Sequence, residues 1–207
     1  MTEAIPPAET ALLLVDLQND FLDPAGAYGR AGQVAAASAA LPGRLVPLTQ
    51  ALRRAGGCVV ATQFTLVPGR GGEPIISPHL KALRPFLGRG DFAPGAWGHR
   101  LVDALQPADF TVEKIAYSAF YMTRLEWVLR KAGIRRLLVG GIVTNGGVAS
   151  TVRDAHVRDF DVTVLEDGCA AFDPATHKTA IAALRPVCRI ARIAEALAEV
   201  MQADTAQ

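Results

Sequence analysis

Three groups in this chain have the residue types to do chemistry, and each stands at the end of a stretch that reads as a strand. Ala11 to Val15 reads ALLLV and stops at Asp16. Asp109 to Glu113 is followed at once by Lys114. Leu137 to Val139 leads into Gly140-Gly141-Ile142-Val143-Thr144-Asn145-Gly146-Gly147. A carboxyl group gives or takes a proton, and an ammonium group holds an anion or biases that carboxyl. A glycine-rich strand-to-helix turn aims backbone N–H groups and the positive end of a helix at whatever lies above the strand. The turn lacks a nucleophile, because Gly147 stands where its helix begins. Taken singly, an aspartate at a strand end reads as a turn residue and a lysine after a strand as a solvated charge. Their common position at carboxyl ends of strands is more specific, since sites in open parallel sheets form there.

The elements that must position these groups follow from apolar spacing. Ala11 to Val15 is a buried strand, and Gln18 to Phe21 with Asp23 to Gly26 reads as loop. Leu45, Leu48, Leu52 and Ala55 mark a helix that stops at Gly56-Gly57. Cys58 to Thr62 is the second strand. A long Pro- and Gly-rich loop covers 66–98, with a helical piece around His79 to Leu87. Loops of that length in a compact domain serve as covers or contacts. The spacing predicts a helix around His99 to Leu105, a third strand over Asp109 to Glu113, and a capping box at Thr123-Arg124-Leu125-Glu126. Val148, Val152, Ala155 and Phe160 fit one helical face. Asp161 to Leu165 is a strand, Asp173-Pro174 starts a helix, and Val187 to Ala191 is a last strand before a helix to about Met201. Strand and helix alternate, so the fold is α/β with a mainly parallel sheet covered on both faces.

Length and charge narrow the classes. The chain has 207 residues, half of them hydrophobic, which fills one core and predicts one domain over 1–207. With 21 basic and 20 acidic residues the net charge is +1, and no basic run points to nucleic acid or a membrane surface. No apolar run reaches membrane-spanning length, and the N-terminus carries no signal-peptide core. Cys58, Cys169 and Cys188 are odd in number and widely spaced, which fits neither a disulfide framework nor a zinc knuckle. A cytoplasmic protein fits best. His79, His99, His156 and His177 lack ligand spacing, so no metal is expected.

Asp16-Leu17-Gln18-Asn19-Asp20-Phe21, Lys114-Ile115-Ala116-Tyr117-Ser118-Ala119-Phe120, and Gly141 to Val148 with Arg153-Asp154-Ala155 together resemble the isochorismatase-like, or cysteine hydrolase, superfamily. The likeness runs over about 10–197. It implies a Rossmann-like three-layer α/β/α sandwich with a six-stranded parallel sheet, a homodimer or homotetramer, a small-molecule substrate and no cofactor. It also implies a non-proline cis peptide, placed by the motif at Val143–Thr144.

Most members of that superfamily cleave amides with an Asp–Lys–Cys triad. Asp16 and Lys114 fall on the first two positions and Gly147 on the third. Glycine at that position resembles the isochorismatases proper, which hydrolyse a vinyl ether without a protein nucleophile. In that chemistry a carboxylic acid protonates the enol-ether carbon, water captures the oxocarbenium ion, and the hemiketal falls apart. Asp16 would be the general acid, with Lys114 orienting it. Lys114 favours the ionised carboxylate and burial favours the acid, and the sequence leaves that contest open. Val143, Thr144, Gly146 and Gly147 would form the turn at the lost cysteine. Gln18, Phe21, Gln63, Trp97, Tyr117 and Phe120 are candidates to contact substrate, and Arg70, Arg84 and Arg89 to hold a carboxylate. Ser150 lies a helical turn beyond Gly147 and is poorly placed as a nucleophile. This chain departs from the isochorismatases at Val143, where they carry Tyr, and at Ile115-Ala116, where they carry Trp-Arg. Gln63 to Pro68 contains none of the histidines that nicotinamidase-like relatives carry there. Three functions stand at this point: a cysteine-independent hydrolase, a degenerate relative that only binds small molecules, and an amidase with a substitute nucleophile.

Overall fold

A computed structural model describes residues 5–205. Its elements in order are β1 (Thr10–Val15), α1 (Asn19–Leu22), α2 (Ala27–Arg30), α3 (Ala36–Ala39), α4 (Leu41–Arg54), β2 (Cys58–Phe64), α5 (Pro78–Leu83), β3 (Phe110–Lys114), α6 (Leu125–Lys131), β4 (Arg136–Ile142), α7 (Ala149–His156), β5 (Asp161–Ala170), α8 (Pro174–Leu184), β6 (Arg189–Ala191) and α9 (Ile193–Thr205). The six strands form one sheet in the order β3-β2-β1-β4-β5-β6, and every neighbouring pair is parallel. Among the described residues no helix is long and apolar enough to cross a membrane.

The continuous apolar run of β1 is explained by its central place. Ala11, Leu13 and Val15 pack on one face with Leu125 and Leu129 of α6, Val152 and Ala155 of α7, and Ile181 and Leu184 of α8. Leu12 and Leu14 pack on the other face with Leu45, Leu48 and Leu52 of α4 and with Ile193, Ala196 and Val200 of α9. A strand buried on both faces has no position for a polar residue until it leaves the sheet. For β1 that position is Asp16.

Above the carboxyl ends, the long loop seals over a third, aromatic cluster of Tyr28, Leu66, Leu87 and Phe92, joined by Phe21 and Phe64. Gln18-Asn19-Asp20 fastens this cover. Gln18 Nε2 donates to Phe64 O (3.0 Å) and His99 O (2.9 Å), and Asn19 Nδ2 donates to Trp97 O (2.9 Å). The Asp20 carboxylate accepts from the N–H groups of Ala27 (2.9 Å) and Phe92 (2.7 Å).

Several local expectations are corrected. Asn19–Leu22, within the first stretch read as loop, forms the short helix α1, where the Asp20 carboxylate draws in the N–H groups of Ala27 and Phe92; Asp23 to Gly26 is loop as read. The predicted helix over His99 to Leu105 shrinks to a turn at Asp103–Leu105, since Leu101 bridges to Gln18 and Val102 N donates to Leu17 O (3.0 Å). The Thr123–Glu126 capping box does not close. The Thr123 hydroxyl accepts from Leu125 N (3.1 Å), but Glu126 pairs with Arg158 (3.0 Å). Strand β4 runs on to Ile142, which pairs with Ala170, so the chain leaves the sheet there; the non-proline cis peptide is Ile142–Val143, one residue before the expected place.

Removing the Asp20 carboxylate strands two buried N–H groups, each costing about 1–3 kcal/mol. Asp20→Ala is therefore expected to lower unfolding free energy by about 2–6 kcal/mol in urea titration. An unchanged midpoint would mean that Asp20 does not fasten the cover.

Candidate active site

Asp16 follows β1 with φ of 57°, in the left-handed region that aspartate tolerates better than most residues. The bend turns its carboxyl across the sheet top toward β2 and β3. Thr62 sits beside it because Val15 and Thr62 are register partners. The Thr62 hydroxyl accepts from Asp16 N (3.3 Å) and donates to Oδ1 (2.8 Å). Lys114 is the last residue of β3, two strands away, and its Nζ lies 2.6 Å from Asp16 Oδ2. The same ammonium donates to Ala116 O (3.0 Å) and lies 5.5 Å from the Phe64 ring centroid. Both side chains are almost wholly buried, at 6% and 1% exposure. Burial pushes the Asp16 carboxyl above its ordinary range, and this outweighs Lys114, Thr62 and the Phe64 backbone, which all pull it down.

The other half of the site comes from β4. Gly141 adopts φ of 131°, and a Cβ there would come within 2.1 Å of Val15 O, so only glycine lets β4 lie this close to the end of β1. After Ile142 the chain makes a π-type turn, Thr144–Val148, in which Val143 O accepts from Gly146 N (2.9 Å) and Val148 N (3.2 Å). Gly147 presents a bare corner to Asp16. A Cβ on it would lie 3.3 Å from Asp16 Oδ2 and 3.1 Å from Ile142 O.

Asp16, Lys114, Val143 and Gly147 line one cavity of about 350 Å³. Phe21, Phe64, Tyr28, Phe172 and Tyr117 give it aromatic walls, and α5 closes it with His79, Leu80 and Leu83. Arg84 reaches in from the cover. Its Nε donates to the Tyr28 hydroxyl (3.0 Å), and its guanidinium lies 5.4 Å from the centroid of Phe172, which stacks on Tyr28. Burial raises the Tyr28 pKa, so the phenol stays protonated.

Phe21 and Tyr117 thus stand with Asp16 and Lys114, but four of the proposed contact residues lie elsewhere. Gln18 and Gln63 spend their amides on backbone, Gln63 donating to His99 O (2.9 Å). Trp97 is on the outer surface, and Phe120 is buried in the core beside Phe160. Thr144 is wholly buried behind the turn, and Gly146 backs onto Val143 and Tyr117. Arg89 pairs with Glu73 on the surface (3.2 Å), and Arg70 is exposed. Thr62, Tyr28, Phe64 and Phe172 were not singled out by sequence. Only Thr62 had a usable signal there, as the residue level with the end of β1 once β1 and β2 are paired.

Among the described residues no cysteine, serine or threonine lines this cavity. Burial pushes the Cys58 and Cys188 thiols up to about 11 and Cys169 up to about 12, which leaves them protonated and poorly nucleophilic. Ser150 lies on α7, outside the lining. Among the described residues no group of three His, Cys, Asp or Glu side chains is placed to hold a metal ion.

Residues 10–201 match the isochorismatase domain family. The ureidoacrylate amidohydrolase RutB of Methylobacterium radiotolerans is 36% identical over 191 residues, covering 86% of this chain and 74% of that protein. The protein of the same name from Caulobacter vibrioides is 35% identical over 174 residues, covering 79% of this chain and 77% of its own length. Among solved structures, a cysteine hydrolase from Pseudomonas syringae pv. phaseolicola superposes with a TM-score of 0.82 at 26% identity, covering 98% of this chain and all (100%) of that one. An N-carbamoylsarcosine amidase from Thermoplasma acidophilum superposes with a TM-score of 0.69 at 26% identity, over 89% of this chain and 96% of that one. Matched from its first strand into its last helix, this chain belongs to the isochorismatase family and is a hydrolase.

Proposed function

We propose that this hydrolase cleaves a vinylic C–O or C–N bond in a small carboxylate-bearing substrate, with Asp16 as the proton donor and no protein nucleophile. The observation that carries the reading is the bare Gly147 corner beside Asp16, in a cavity that no Cys, Ser or Thr lines among the described residues. The Asp16 proton goes to the vinylic carbon remote from the heteroatom, leaving an oxocarbenium or acyliminium cation. One water adds to that cation and returns a proton to Asp16. The resulting hemiketal or carbinolamide then expels the alcohol or amide fragment.

The surroundings suit each stage. A carboxyl with its pKa raised by burial is a proton donor. Once the proton has left, Lys114 and Thr62 stand ready around the carboxylate, fixed before reaction. Aromatic faces line the space where the cation develops. Arg84 offers its guanidinium to the substrate carboxylate. Acid catalysis of this kind contributes roughly 10²–10⁴-fold.

The relatives' name favours a second reading. Ureidoacrylate carries a ureido nitrogen on a vinylic carbon, so it contains both an amide bond and the vinylic C–N bond of the first reading. In direct amide cleavage Asp16 acts as a base on water, and the carbonyl oxygen faces the N–H groups of the Val143–Gly147 turn. Exposed Ile115, Tyr117, Tyr121, Met122 and Trp127 support a homo-oligomer as part of the proposal, and the unpaired cysteines support a cytoplasmic home.

Three measurements test these readings. With ureidoacrylate as probe, the vinylic route consumes one water and releases intact urea and a 3-oxo acid. Carbamate and an aminoacrylate in their place would overturn it in favour of amide cleavage. In the vinylic route kcat/KM falls as pH rises through the raised pKa of Asp16, because the donor is then ionised. Thr62→Val should move that limb to still higher pH by removing a donor to the carboxylate, Asp16→Asn should cost roughly 10²–10⁴-fold, and thiol alkylation should leave the rate intact. A rate that rises with pH through the same limb would identify a base instead. Sedimentation velocity should give a mass above the 21.9 kDa of one chain; a monomer at micromolar concentration would remove the oligomer from the proposal.

A further inference from the structure

Thr144 opens the turn that ends at Gly147, and it is wholly buried. Its hydroxyl lies 2.8 Å from Nδ1 of His177. The imidazole is delivered by α8, whose first turn is fixed by Asp173. That carboxylate accepts from Thr176 N (2.7 Å), and the Asp173 carbonyl accepts from His177 N (3.0 Å). His177 takes no part in lining the Asp16 cavity. It borders a separate hollow of about 790 Å³, and Phe172 forms the wall shared by the two.

We propose that His177 is a positioning residue for the reaction: it holds the Val143–Gly147 turn in register with Asp16 by gripping the Thr144 side chain. The inference rests on the reading of that turn as a wall of the reacting site. Within the turn, Gly146 and Gly147 have no side chain, and the Asn145 and Val148 side chains make no hydrogen bond among the described residues. The Thr144 hydroxyl is therefore the turn's one side-chain hydrogen bond to another element. The backbone bonds from Gly146 N and Val148 N to Val143 O close the turn upon itself, and Ala149 N at the start of α7 bonds to the Gly146 and Thr144 carbonyls, so the backbone runs the turn into α7 and the Thr144 hydroxyl is what bonds it to α8. Two adjacent glycines make such a segment free to shift when its anchor is lost. Imidazole suits the task because one ring nitrogen accepts and the other donates, so either tautomer satisfies a hydroxyl. A misplacement near 1 Å at a reacting site costs on the order of 10²-fold.

The test compares His177→Leu, His177→Asn and His177→Gln in the full chain. An asparagine amide reaches the place of Nδ1, whereas a glutamine amide reaches toward Nε2. Two readouts are taken: the backbone amide resonances of Gly146 and Gly147 without ligand, and kcat and KM on ureidoacrylate. His177→Leu is expected to move both glycine resonances and to lower kcat about 10- to 100-fold with KM nearly constant. His177→Asn should restore both, and His177→Gln should behave like the leucine variant. Should His177→Leu not fold, the asparagine–glutamine pair carries the comparison. Unmoved glycine resonances in the leucine or glutamine variant overturn the proposal, as does an asparagine variant no better than glutamine. If the wild type turns over no probe, the proposed reaction fails while the resonances still decide the role of His177.

Discussion

The buried contact between Asp16 and Lys114 is the constraint around which the carboxyl end of this sheet is built. Taking two ions out of water costs several kcal/mol each, and mutual attraction repays that only with good geometry and further hydrogen bonds. Here the geometry is a 2.6 Å contact, with Thr62 donating to the other carboxylate oxygen and Lys114 donating a further bond to Ala116 O. Reaching it requires the strand order. Lys114 ends β3 and Asp16 follows β1, so the lysine must span β2, roughly 10 Å at ordinary strand spacing. Phe64, its register partner on β2, lies beneath the ammonium on the way.

Burial is also what gives the pair its chemical character. An aspartate beside an ammonium in water would be ionised throughout the physiological range. The aromatic cover changes that balance by removing water from above the carboxyl, and the cover is held by the residues that follow Asp16 in sequence. Gln18, Asn19 and Asp20 each bond to the backbone of the segment that folds over the cavity. The stretch Asp16 to Asp20 therefore both supplies the buried carboxyl and fastens the cover that keeps water from it. Loss of the fastening would act on that carboxyl without touching it.

Much of this was legible from sequence because strand ends are legible. Strand-like stretches that stop at Asp16, before Lys114 and at the glycine turn placed three groups at one edge of a parallel sheet, where a crevice must form. The fold class followed from the alternation of strand and helix. The walls of the crevice were readable only in part: Phe21, Tyr117 and Arg84 were named and line it. Tyr28, Phe64 and Phe172 come from three segments far apart in the chain, and no local pattern marks an aromatic residue as facing one cavity and not another. That the Gln18 and Gln63 amides turn to backbone was unreadable for a related reason. Their partners are backbone groups, and backbone groups look the same at every position of a sequence. The Thr123–Glu126 box failed by competition, since Arg158 offers Glu126 a full charge where the helix end offers a partial one. The expected helix after His99 lost to pairing of that strip with Leu17 and Gln18.

The bare corner at Gly147 bears on whether the site has only decayed. A buried ion pair is a poor source of stability, because apolar residues of similar volume commonly replace such a pair at no cost or with gain. A chain kept only for its fold has no physical reason to maintain Asp16 in a left-handed conformation, desolvated, against a lysine drawn across two strands. It has equally little reason to keep the opposing space empty, since a Cβ at Gly147 meets neighbours only at 3.1–3.3 Å and a small side chain would fit after a slight adjustment. The buried carboxyl, its counter-charge and the vacant corner together meet the needs of the proposed nucleophile-free hydrolysis: a proton to give, a charge to receive the carboxylate afterwards, and room for the reacting carbon where an attacking side chain would otherwise stand.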